Sequence, residues 1–182
     1  MNADKKHDTE QIRRIRDGNE SAFEQLFRHY GQALVYFAHN YVRDLSIAEN
    51  LVQDVFVAVW EKRATLSPDR SIKSYLYTAT KNRALKHLRH EEITSKNREK
   101  IDLYSVAPST PDDLLSHDET AAAIGRAIEA LPEKCRLVFK LNRFDHLTYA
   151  EVAEVLEISV KTVETQMGRA LHVLRRTLFE EE

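Results

Sequence analysis

Apolar residues recur at three- and four-residue spacings through most of this chain, which is the period of an amphipathic helix. Between Ser21 and Ala38 they are Ala22, Phe23, Leu26, Phe27, Tyr30, Leu34, Phe37 and Ala38, and they predict one helix. Ile12 and Ile15 predict a helical turn ahead of it. Asp44 and Ser46 then punctuate the chain. Ser46 with Glu49 has the S-x-x-E form of a capping box, in which two side chains satisfy free N–H groups at a helix start. The next predicted helix runs from Ser46 to about Arg63 and carries Leu51, Val52, Val55, Phe56, Val59 and Trp60. After Pro68 another is expected from near Ser71 to about His90, with Ile72, Leu76, Ala79, Ala84, Leu85 and Leu88 inward. These stripes can share one core, so residues 8–92 are expected to form a first domain.

Residues 93–116 lose the periodicity, and their SVAPSTPDD stretch reads as a flexible linker. The helical pattern resumes near Asp118 and passes through Ile124, Ala127, Ile128 and Leu131. Pro132 is expected in the first turn of the next helix, where its missing N–H costs little. That helix carries Cys135, Leu137, Val138, Phe139 and Leu141. Thr148 and Glu151 form a second capping box, opening a short helix with Tyr149, Val152, Ala153 and Leu156. Glu157 and Ile158 form a turn, and Ser159 caps a final helix. The apolar seam of that helix is Val160, Val163, Met167, Ala170, Leu171, Leu174 and Leu178. Residues 117–179 are expected to be the second domain. No segment reads as a strand. The expected fold class is all-α: two small helical domains joined by a flexible linker, the C-terminal one a helix-turn-helix.

Composition narrows the class. Of 182 residues, 42% are hydrophobic and 31% charged, as in a soluble globular protein, and 4 Gly with 4 Pro leave room for long helices. No stretch approaches the roughly 20 apolar residues of a membrane span, and the N-terminal residues lack a signal-peptide pattern, so a cytoplasmic protein is expected. The net charge of -2 conceals segregation. Residues 62–100 hold eleven Lys and Arg against four acids, a net +7, while residues 101–133 hold seven acids and one Arg, a net -6. The basic block is either a footprint for a polyanion or a set of solvated helix faces. Cys135 is the single cysteine, which excludes an intrachain disulfide; a buried structural thiol and a redox sensor are its two readings. The eight histidines are scattered, and there is no Gly-rich phosphate loop or metal-spaced Cys/His cluster. No cofactor and no enzyme activity are expected.

Three segments carry candidate function. LTYAEVAEVLEISVKTVETQMGRAL combines a short capped helix, a tight turn and a longer helix, the arrangement of a helix-turn-helix. Ala153 is small where the helices must cross, and Ile158 and Val163 are apolar where the turn must be pinned. The outward positions are expected to be Lys161, Thr162, Glu164, Thr165, Gln166, Arg169 and His172, which include groups suited to base edges and to phosphates. An ordinary helical hairpin with a polar surface is the alternative. Gly168 either permits close approach to DNA or is a harmless exposed residue. The second segment, SIKSYLYTATKNRALKHLRH, interleaves cations with Tyr75 and Tyr77, as single-stranded nucleic acid binding requires. The two tyrosines fall on different faces, so at least one belongs to the core. The third, AENLVQDVFVAVWEKR, is apolar except for Asn50, Gln53, Asp54 and Glu61, which suggests burial on one side and a protein partner on the other.

Taken in order, these segments resemble the extracytoplasmic-function group of bacterial RNA polymerase sigma factors, over about residues 20–90 and 118–178. SAFEQLFRHYGQALVYFAHNYVRD, AENLVQDVFVAVWEK and SYLYTATKNRALKHLRH look like region two, and ALPEKCRLVFKL with the helix-turn-helix looks like region four. The resemblance implies that region two contacts the clamp helices of the largest polymerase subunit and opens the minus-ten element. Region four would read the minus-thirty-five element as duplex and rest on the flap of the second-largest subunit. Asn50, Gln53, Asp54 and Trp60 would then face polymerase. Lys73, Tyr75, Asn82, Lys86 and Arg89 would face the minus-ten element. Lys86 stands where the family often has an acid or Asn, and Tyr75 where it commonly has Trp. The implied partners are core RNA polymerase, promoter DNA and an anti-sigma factor. The rival is a stand-alone regulator with the same helix-turn-helix, dimerising to read two half-sites, but such a regulator would not need residues 46–90.

Overall fold

The computed structural model describes residues 3–94 and 119–179. Among the described residues every regular element is helical, so the all-α expectation holds. The helices fall into two compact units. The expected linker, 93–116, lies almost wholly outside the described residues; its first two residues continue a helix that ends at Thr94.

The first unit contains α1 (Ala3–Arg16), α2 (Glu20–Val42), α3 (Leu45–Glu61), a single 3-10 turn (Arg63–Thr65) and α4 (Ile72–Thr94). α1 is a full helix rather than one turn. Ile12 and Ile15 are its buried anchors, and the polar residues around them gave no periodic signal. Gly18, at φ 83, ends it: the Gly18 and Asn19 N–H groups donate back to the carbonyls of Ile15 and Arg14. Asn19 then caps α2 by accepting from the Ala22 N–H at 2.8 Å.

A second tight corner joins α2 to α3. Arg43 adopts the left-handed conformation and donates its N–H to His39. Asp44 caps α3 by accepting from the Ile47 N–H at 2.9 Å. The expected Ser46 cap is therefore wrong, because the helix already starts at Leu45 and Ser46 lies within its first turn. A carboxylate at this end also interacts favourably with the helix dipole. At the start of α4, which begins at Ile72, the Ser71 hydroxyl accepts from the Ser74 N–H at 3.2 Å.

α2, α3 and α4 pack on one another, and α1 covers α2 and the 3-10 turn. Leu26, Leu34, Val52, Val59 and Leu76 are withdrawn from water, each contributing roughly 1.5–3 kcal/mol. Tyr77 is fully buried, edge-on to Phe37. Ala79, Leu85 and Leu88, expected inward on α4, are only half-buried.

The second unit contains α5 (Glu119–Glu129), α6 (Glu133–Arg143), α7 (Tyr149–Leu156) and α8 (Val160–Phe179), with α8 packed on the other three. Pro132 caps α6 in an extended conformation, one position earlier than expected. The α5–α6 corner is held electrostatically. Glu129 takes Lys140 at 2.7 Å and lies 3.6 Å from Arg136, whose guanidinium also donates to the Glu129 carbonyl. These partners allow the Arg136 guanidinium to sit in the core, where an unpaired charge would be costly. On α8, Val163, Met167, Ala170 and Leu174 are buried, whereas Val160 and Leu171 are exposed, contrary to expectation. Those two lie roughly 50–70° around the helix from the centre of the buried stripe.

The capping box of α7 is fully formed. The Thr148 hydroxyl accepts from the Glu151 N–H at 3.2 Å, and the Glu151 carboxylate accepts from the Thr148 N–H at 2.9 Å. Thr148→Ala is expected to cost roughly 0.5–2 kcal/mol in denaturant unfolding. An unchanged midpoint would mean that the box contributes nothing to holding α7.

Candidate nucleic-acid and polymerase interfaces

The turn between α7 and α8 is set by backbone geometry. Glu157 is left-handed (φ 56, ψ 42), and the Ile158 N–H donates to the Ala153 carbonyl at 3.0 Å. Ser159 then accepts from the Thr162 N–H at 3.0 Å. Val163 is completely buried just inside α8 and Ala153 is buried on α7, so the pair of helices crosses closely, as the small and apolar residues predicted.

This leaves Lys161, Glu164, Thr165, Arg169 and His172 exposed along α8. Lys161 and Glu164 pair across one turn at 3.1 Å, and the Thr165 hydroxyl donates to the Lys161 carbonyl. Thr162 and Gln166 do not join them fully on the open face. Thr162 is half-buried, its hydroxyl 2.8 Å from that of Ser159. Gln166, expected opposite the buried seam, is half-buried at its edge, where its carbonyl oxygen accepts from the Cys135 thiol at 3.0 Å. Sequence spacing could not reveal a partner 31 residues away on α6. An open groove of about 620 Å³ separates the start of α6 from α8, lined in part by Lys134, Cys135, Gln166, Arg169 and His172. Burial pushes the Cys135 thiol above its ordinary pKa, and the Arg169 charge pulls it the other way less strongly. A Cβ at Gly168 would meet no protein atom, so internal packing does not require glycine there.

On α4, Tyr75, Asn82, Lys86 and Arg89 are all exposed. At 100° per residue they lie within about 60° of one line. This stripe sets one aromatic face among two cations and an amide. Lys73 lies on roughly the opposite side of the helix and is half-buried, so the structure does not bring it to the stripe. Ile93, which sequence reasoning did not single out, continues the same line and is 85% exposed. Tyr77 belongs to the core, as the face argument required.

On α3, Asn50, Gln53, Asp54 and Glu61 are exposed together, as the pattern of polar exceptions predicted. Val57, an apolar residue not singled out from sequence, lies among them and is 56% exposed. Asp54 meets Arg83 of α4 at 2.5 Å. Both are well hydrated, so the pair contributes at most about 1 kcal/mol and stays available to a partner. Trp60 is less free than expected. It is half-buried, with its ring centroid 4.9 Å from that of Phe23 and the Arg63 guanidinium 4.4 Å above the indole. It closes the α2–α3 seam, continued by the Phe23–Phe56 and Phe27–Phe56 contacts.

A helix-turn-helix unit, paired with a helical unit carrying an exposed aromatic and basic stripe, defines a DNA-binding transcription protein. The chain matches the Sigma-70 region 2 family over residues 26–93 and the Sigma-70, region 4 family over residues 115–172. It is 32% identical over 169 residues to the ECF RNA polymerase sigma factor RpoE of Cereibacter sphaeroides, covering 91% of each chain. It is 25% identical over 176 residues to the ECF RNA polymerase sigma factor SigW of Bacillus subtilis, covering 92% of this chain and 94% of that one. Its structure is similar to that of CnrH in complex with the cytosolic domain of CnrY, with a TM-score of 0.60, 25% identity, and 96% and 99% of the two chains covered. It also shares the fold of the Bartonella quintana sigma factor RpoE, solved with the anti-sigma factor NepR. There the TM-score is 0.63 at 19% identity, covering 88% of this chain and 98% of that one. The chain belongs to the extracytoplasmic-function group of RNA polymerase sigma factors, and it recognises promoters for transcription initiation.

Proposed function

We propose that promoter recognition is divided between the two units and that neither suffices alone. The recognition surface of α8 carries the reading: a capped helix-turn-helix exposes Lys161, Glu164, Thr165, Arg169 and His172 while Val163, Met167 and Ala170 are buried. In this reading α8 enters the major groove of the minus-thirty-five element, with Arg169 offering the planar fork that recognises guanine. The free N–H groups at its start favour a phosphate. On α4, Tyr75 offers a stacking face and Asn82, Lys86 and Arg89 line the path of the strand opened at minus-ten.

Asn50, Gln53 and Asp54 dock on the clamp helices of core polymerase, with Trp60 bracing that face from the seam, and the second unit rests on the flap. Holding both units on one platform raises the effective concentration of the second DNA contact once the first has formed. The chain contributes binding, and polymerase supplies the chemistry. It acts in the cytoplasm, where polymerase and DNA meet. Since the Bartonella quintana relative is seen with an anti-sigma factor, an anti-sigma partner is proposed here too.

Docking is tested by Asp54→Arg. It should weaken competition against another sigma factor for core polymerase about tenfold, which corresponds to ~1.4 kcal/mol, without unfolding the chain. Arg83→Ala breaks the same ion pair and should compete almost as wild type. Equal losses in the two variants would assign the effect to the pair rather than to docking.

Base reading is tested in a transcription assay that varies each upstream promoter base. Arg169→Ala should cost roughly 1–3 kcal/mol at one position and relax preference there. Lys161→Ala should weaken all promoters alike and reduce the salt dependence. A uniform loss from Arg169→Ala, or none, would show that α8 is rotated from this placement or outside the groove.

A further inference from the structure

Gln166 is tied to a second helix before any DNA arrives. Its carbonyl oxygen accepts from the Cys135 thiol at 3.0 Å. Cys135 is buried in the first turn of α6, and the net push on its pKa is upward, so the sulfur remains a protonated donor at neutral pH. A glutamine amide offers one carbonyl acceptor and two N–H donors. The thiol takes one of the oxygen's two lone pairs and aims the carbonyl at α6, so the amide leads into the groove with its N–H groups. A glutamine that recognises adenine needs both functions, accepting from N6–H and donating to N7. An amide that presents its N–H groups first matches an edge made of acceptors, which in the major groove means guanine N7 and O6 or thymine O4.

We propose that Cys135 is a specificity-determining positioning residue, holding Gln166 with its N–H groups foremost and turning it from adenine toward guanine or thymine. The inference rests on the reading of α8 as the recognition helix. Cys135 itself contacts no base. It acts through the amide orientation, and no other group on α6 supplies that hydrogen bond to Gln166. A thiol is a weak donor, so the bias it imposes is modest.

The test uses the full chain with core polymerase on promoters carrying each base at each upstream position. Results are read as ratios between templates for the same protein sample, so a lower folded fraction cancels. Gln166→Ala should flatten the preference at one position. Cys135→Ala, and Cys135→Val, which fills similar volume without a donor, should raise adenine against guanine or thymine at that same position by about three- to tenfold. Cys135→Ser, which keeps a donor, should retain the wild-type ratios. If both donor-less variants keep those ratios while Gln166→Ala flattens one position, the role of the thiol is overturned and the recognition helix stands. Equal shifts from Cys135→Ser and Cys135→Ala would also overturn it, since the donor would then not matter. If Gln166→Ala changes no ratio, Gln166 reads no base and the proposal falls. Arg169→Ala in the same template set then shows whether the placement of α8 falls with it.

Discussion

The C-terminal unit depends on the turn at Glu157, one of two non-glycine residues at positive φ among its described residues. Glu157 takes the left-handed conformation without being glycine, at a cost of about 1–3 kcal/mol. In return the Ile158 N–H reaches the Ala153 carbonyl, the chain reverses within three residues, and Val163 is carried into the core. Buried Val163, Met167, Ala170 and Leu174 then leave α8 no rotational freedom, and the opposite face must point outward. The direction of the exposed polar face of α8 is therefore decided by packing on its hidden side. The capping box at Thr148 and the Ser159 cap hold the two ends of the same device.

The first unit uses the same logic with different chemistry. Its corners at Gly18–Asn19 and Arg43–Asp44 each place a left-handed residue directly before a capping side chain, so one helix ends where the next begins. The Arg43–Asp44 corner sets α2 beside α3, α4 packs on both, and burial of Leu76 and Tyr77 orients α4. The Tyr75, Asn82, Lys86 and Arg89 stripe follows from that orientation. A net charge of -2 would not favour a polyanion partner. The basic block that includes this stripe supplies the local attraction, which is screened by salt within about 10 Å at 0.1 M. The proposed mechanism takes such a surface to bind DNA weakly when alone, and the shared platform supplies the rest.

Much of this was legible in the residues because helix period and burial are both local in sequence. Ile72, Leu76 and Ala84, or Val163 and Met167, announce their face by spacing. The failures have a common physical origin. Ser46 has the right partner at Glu49, but Asp44 stands two residues earlier and its carboxylate takes the Ile47 N–H, so the helix has already begun at Leu45. Gln166 looks outward from its polarity, yet α6 brings Cys135 to it. Trp60 looks like a free contact residue until Phe23 and Arg63 enclose it. Asp54 meets Arg83 only because α3 and α4 are neighbours. In these cases the deciding partner was tertiary or a competing local acceptor. Lys73 is different: its position away from Tyr75 could have been read from helix spacing alone.

The central claim is that specific promoter recognition exists only when both units sit on polymerase. Its most direct test is to transcribe a pool of promoter fragments with core polymerase, with and without the chain, mapping start sites by sequencing. Binding of the same pool by the chain alone is measured at physiological salt. The account predicts new starts at a constant distance from two shared upstream elements, with no selective retention of those fragments by the free chain. Unchanged start sites, or nanomolar selective binding of the same fragments without polymerase, would contradict it.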